Sequence, residues 1–122
     1  MNKYEKLFSE IYSQTKAGTL KWKQLRRQAN SDLIFNQNFV WRQFAAEFER
    51  GENIFTIILV EKKYEDPDFD SPYEKYYPEL LIIDGGELVS MISDSVIEKN
   101  DLIRLANLVE MKSDKAKRLF GP

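Results

Sequence analysis

A chain of 122 residues with 43% hydrophobic and 31% charged content has the makings of one globular domain spanning residues 1–122, not of a disordered segment. It contains no cysteine and no histidine, which excludes disulfides, thiolate metal sites, cysteine nucleophiles and every Ser-His, Cys-His or His-metal arrangement. The net charge of −2 divides unevenly, because residues 1–50 hold nine Lys and Arg against five Asp and Glu, whereas residues 51–122 hold nine against fifteen.

The opening MNKYEKLFSE is charged and lacks an apolar core, so no signal peptide is expected. Tyr4, Leu7, Phe8, Ile11 and Tyr12 then follow the i, i+3, i+4, i+7, i+8 spacing of one apolar helix face. Asn2 is placed to cap that helix, and Gly18 stands where a left-handed C-terminal residue belongs. In TLKWKQL, Leu20 and Trp22 alternate with Lys21 and Lys23, predicting a short strand that buries Trp22. RRQANSDLIFNQN has no clean period and reads as irregular.

From Phe39 a β pattern resumes, with two runs flanking the turn-like ERGEN. Phe44, Ala46 and Phe48 share one face, and Ile54 to Val60 is apolar on both faces, as a central strand would be. In ELLIIDGGELVSMI two further apolar runs surround Asp-Gly, the strongest short hairpin signal. The closing stretch reads as one helix, capped by Asn100 or Asp101, with Leu102, Leu105, Ala106, Val109, Ala116 and Leu119 facing inward. No apolar run approaches a membrane span, so a cytoplasmic location is the default expectation. The element order predicts an α+β domain: an antiparallel meander of four or five strands with both terminal helices on one face. The other face would be partly exposed, with Trp41 on it.

No phosphate loop, dinucleotide fingerprint or catalytic constellation is present, so neither enzyme chemistry nor a cofactor is expected. The segment that stands out is residues 61–79. It holds seven acids (Glu61, Glu65, Asp66, Asp68, Asp70, Glu74 and Glu79) and five rings (Tyr64, Phe69, Tyr73, Tyr76 and Tyr77). Asp66, Asp68 and Asp70 match positions 1, 3 and 5 of a calcium loop, but position 6 is Ser71 where Gly is needed and position 12 is Tyr77 where Glu is needed. No metal site is therefore expected. A solvated connector has no need of so many rings, whereas tyrosine beside carboxylate is the composition of an interface facing a basic partner. The residues expected to bind are Asp66, Asp68, Asp70, Tyr73, Glu74, Tyr76 and Tyr77. The competing reading folds the rings back onto the sheet and leaves the acids to keep a loop wet.

A second candidate is the basic group Lys21, Lys23, Arg26 and Arg27, which could track nucleic-acid phosphates. Alternation places Trp22 opposite the lysines, which argues for a core ring over a base-stacking one. The edge of the final hairpin or an exposed sheet face offers two routes by which two copies could pair, and the sequence leaves the oligomeric state open.

TKAGTLKW, FAAEFERG and LLIIDGGELVSMI together give a layout that resembles a recurrent type of small, uncharacterised bacterial and phage protein. These have an amphipathic N-terminal helix, a Gly-x-Leu-x-Trp lead-in, two hairpins and a C-terminal helix. The resemblance implies a context of immunity proteins, antitoxins and phage-encoded inhibitors, and it transfers no functional residue. The expectation is a non-enzymatic protein-binding module, of immunity or inhibitor type, that docks a basic partner through segment 61–79. The alternative is a small nucleic-acid-associated regulator using segment 16–27.

Overall fold

The computed structural model describes residues 2–26, 40–66 and 73–121. Its first element is α1 (Lys3–Ala17), opened by a capping box in which the Asn2 side chain accepts from the Glu5 amide at 2.9 Å and Glu5 reaches back to the Asn2 amide. Gly18 closes it at φ 83°, a left-handed position that an L side chain rarely adopts.

Five strands follow: β1 (Lys23–Leu25), β2 (Val40–Arg50), β3 (Asn53–Asp66), β4 (Tyr73–Asp84) and β5 (Glu87–Ile92). They form one antiparallel sheet in the order β1-β2-β3-β4-β5, a meander. The β2–β3 strands run closer together than the five-residue ERGEN cluster suggests, since Arg50 already pairs with Asn53. The β4–β5 turn is the Asp-Gly-Gly hairpin expected, with Gly85 at φ 58° and Gly86 at φ 88°.

Two helices close the chain, α2 (Lys99–Lys112) and α3 (Asp114–Phe120), where the periodicity predicts one. The break is Ser113, extended at φ −71° and ψ 156°. Its hydroxyl donates to the Glu110 carbonyl at 2.9 Å and accepts from the Ala116 amide at 3.3 Å, ending one helix and capping the next. Leu119 consequently leaves the expected inner face and is 76% exposed. The start of α2 also differs, because Glu98 occupies the cap position without a side-chain hydrogen bond, ahead of Asn100 and Asp101.

α1 and α2 pack on one sheet face. Ile11 from α1 and Leu102, Leu105, Ala106 and Val109 from α2 meet Phe44, Phe48, Ile57, Leu59, Leu80 and Ile92 of the sheet. The alternation anticipated for Phe44, Ala46 and Phe48 is what delivers those side chains to the helices. Trp22 is buried in the same cluster, and its indole N–H donates to Thr15 Oγ1 at 3.0 Å. The opposite face carries a smaller cluster of Val40, Val60 and Leu81 with Ile58 and Ile83 beside it.

Candidate functional site

The acidic, tyrosine-rich segment is largely strand. β3 continues to Asp66 and β4 begins at Tyr73, with Asp66 paired to Tyr73. This corrects the picture of a connector loop. The pairing extends further than its neighbours do, since β2 reaches β3 only as far as Lys62, opposite Val40, and β5 reaches β4 only as far as Leu80, opposite Ile92. Past those points Lys63 to Asp66 and Tyr73 to Tyr76 pair with each other and, among the described residues, with no other strand. The result is a two-stranded arm projecting from the sheet. Asp68 and Asp70 lie outside the described residues, and Asp66, Tyr73 and Glu74 are placed by their backbone pairing.

The register of the arm sets like charges against each other. Glu65 stands directly opposite Glu74, with Tyr64 opposite Lys75 and Asp66 opposite Tyr73. Two carboxylates at facing positions of an antiparallel pair oppose its formation.

A buried network fixes the arm at its base. Glu61 is 0% exposed and faces the helices in step with Ile57 and Leu59. It accepts from Arg42 Nε, from Arg42 Nη2 at 3.3 Å and from the Tyr76 hydroxyl at 2.7 Å. Arg42 Nη2 also donates to Glu110 Oε2 at 3.1 Å, which ties α2 to the strands. Burial of the Arg42 guanidinium works against its charge, but the hydrogen bonds to Glu61 and Glu110 outweigh that and hold its pKa above the ordinary value. Burial, and then the hydrogen bond to Glu61, push the Tyr76 phenol well above its ordinary range. Both groups therefore keep their protons at neutral pH and act as fixed donors.

Trp41 completes this end of the sheet. It sits at the bulge where the β2 register shifts, and its ring lies 4.1 Å from Arg42 Cζ, 3.6 Å from Lys63 Nζ and edge-on to Tyr76 at 6.2 Å between centroids. Tyr76 packs against the helix-side core, so Trp41 stands on the helix side of the sheet, not on the far face expected for it. It remains 45% exposed.

The candidate residues thus separate. Glu61 and Tyr76 are committed inward, and Glu79 is bound to Lys62 at 3.2 Å. Tyr77 is half-buried beneath Lys99, whose Nζ lies 4.2 Å from the ring centroid. Of the other acids of the segment, Glu65, Asp66 and Glu74 belong to the strands of the arm by their backbone pairing. Sequence reasoning missed Arg42, Glu110 and the inward course of Glu61. A signal existed, because Arg42 shares the parity of Phe44 and Phe48 while Glu61 shares that of Leu59, two opposite charges aimed at the core from adjacent strands.

Of the basic group, Lys21, Lys23 and Arg26 are exposed, and Arg27 lies outside the described residues. Lys21 and Lys23 line an open groove of about 710 Å³ that Glu47 and Glu49 also line. Trp22 is buried, as alternation indicated, and offers no stacking platform.

Compared with family models, curated proteins and solved structures, the chain gives no significant match in any of the three.

Proposed function

We propose that this protein is a non-enzymatic binding module, of immunity, antitoxin or inhibitor type, which docks a basic protein surface through the β3–β4 arm. The observation that carries the reading is the facing of Glu65 and Glu74 across a ribbon that no other described strand supports. A structure optimised for its own stability would put opposite charges there. An arm made for a cationic partner retains the repulsion until the partner arrives. Asp66, Asp68 and Asp70 steer association, and Tyr73 and Tyr77 supply ring area at low entropic cost. Tyr76 is removed from the anchors, because its hydroxyl already serves Glu61.

The test is kinetic. With a purified basic partner, Asp68→Lys slows association about tenfold at low salt, and the deficit shrinks as screening shortens the Debye length to about 3 Å near 1 M. Tyr77→Ala acts chiefly on dissociation. Rates unchanged in both variants contradict the reading.

A further inference from the structure

We propose that β5 pairs with β5 of a second copy of this chain, antiparallel and about a two-fold axis, to give a continuous ten-stranded sheet. The pairing uses the free edge of β5, which adjoins β4 below the arm, and is independent of the function proposed above.

The two edges of the sheet are built differently. β1 is only three residues long and begins with exposed Lys23, two devices that discourage pairing. β5 has neither. Among the described residues it pairs with β4 alone, and from Leu88 to Ile92 it contains no charge and no proline. Leu88, Val89 and Met91 are 44%, 57% and 46% exposed. The register explains why all three are apolar on the outside. Leu88 pairs with Ile83 and Met91 with Leu81, both on the face away from the helices, and the irregularity between them adds Val89 as an extra residue. The exposed side chains therefore continue the small cluster of Val40, Val60 and Leu81 toward the sheet edge.

The strand is complementary to itself. A two-fold axis between Val89 and Ser90 sets Leu88 opposite Met91 of the second copy, twice, on the same face. It sets Glu87 opposite Ile92, so no carboxylate meets a carboxylate. A parallel arrangement would instead oppose Glu87 to Glu87 and bring the Asp84 turns together. Antiparallel pairing also closes, leaving only the protected β1 edges outside, whereas a β5-to-β1 contact would propagate without end. A six-residue strand pair lies at the small end of specific interfaces, so the dimer is weak, half-dissociated at about 10–100 µM.

Sedimentation velocity over a concentration series tests this. Wild type is expected to pass from a 14.4 kDa monomer to a dimer and no further. Met91→Lys is expected to lower the dimer population at least tenfold with an unchanged circular dichroism spectrum. Met111→Lys, on α2 at a residue more exposed than Met91 (70% against 46%), is expected to dimerise as wild type does. Because the chain has no cysteine, register is read separately: a mixture of Leu88→Cys and Met91→Cys chains should form mixed disulfides in preference to either homodimer. A monomeric wild type at about 1 mM, growth beyond the dimer, dimerisation of Met91→Lys, or loss of dimer in Met111→Lys each overturns the proposal.

Discussion

Glu61 illustrates how one side chain can matter more to the architecture than the surrounding composition suggests. It is fully buried, and its two oxygens are served by Arg42 and Tyr76. Removing the cation alone leaves a carboxylate stranded in the interior, so Arg42→Met should destabilise the fold by about 3–5 kcal/mol in urea unfolding. Replacing both partners with apolar groups, as in Arg42→Met with Glu61→Leu, should recover most of that loss. A double variant as unstable as the single one would show that the pair is not the source. Tyr76 gives a pH test with a definite sign. Its folded pKa is raised by burial and by the Glu61 hydrogen bond, whereas the unfolded chain releases the proton near pH 10, about the ordinary value. The stabilisation is therefore complete below about pH 10 and is lost as pH rises beyond it. Tyr76→Phe should flatten this alkaline fall in stability, and equal slopes for the two proteins would contradict the assignment.

Among the elements, those encoded by local pattern were legible in the sequence. α1 follows from its apolar spacing, Asn2 and Gly18; the β4–β5 hairpin follows from Asp-Gly; the helix-facing set of β2 follows from alternation. The features that escaped depend on pairing across strands or on one side chain bonding its own backbone. Ser113 divides the last helix through two hydrogen bonds that periodicity does not register. Ser113→Ala should cost about 1 kcal/mol and reduce helicity at the C terminus, measurable by circular dichroism. The arm was concealed for a different reason. Acids, prolines and tyrosines read locally as a connector, and only the β3–β4 register carries the strands to Asp66 and Tyr73. That register places Glu74 against Glu65. Glu74→Lys should raise stability by about 0.2–1 kcal/mol, because it replaces a like-charge facing pair with an opposite one. If the arm is a docking element, the same substitution weakens partner binding. Stability and binding moving in opposite directions is an outcome that a merely structural arm would not produce.

For the molecule as a whole, the basic N-terminal half and the acidic C-terminal half of the sequence fall on different parts of the sheet. Lys21, Lys23 and Arg26 lie on or beside the β1 edge, while Glu65, Asp66 and Glu74 occupy the arm. If the arm docks a basic partner, this charge asymmetry steers the approach and its effect fades as salt rises. The core sits between the sheet and α1 with α2, and the Arg42–Glu61–Tyr76–Glu110 network joins that core to the base of the arm. The arm is thus tied to the core at its base. The most direct measurement is an affinity capture from cell lysate, comparing wild type with a folded variant in which Asp66, Asp68 and Asp70 are changed to Ser. A basic protein retained by wild type and lost by the variant is the predicted result. Equal recovery of every bound protein from the two would contradict docking through the arm.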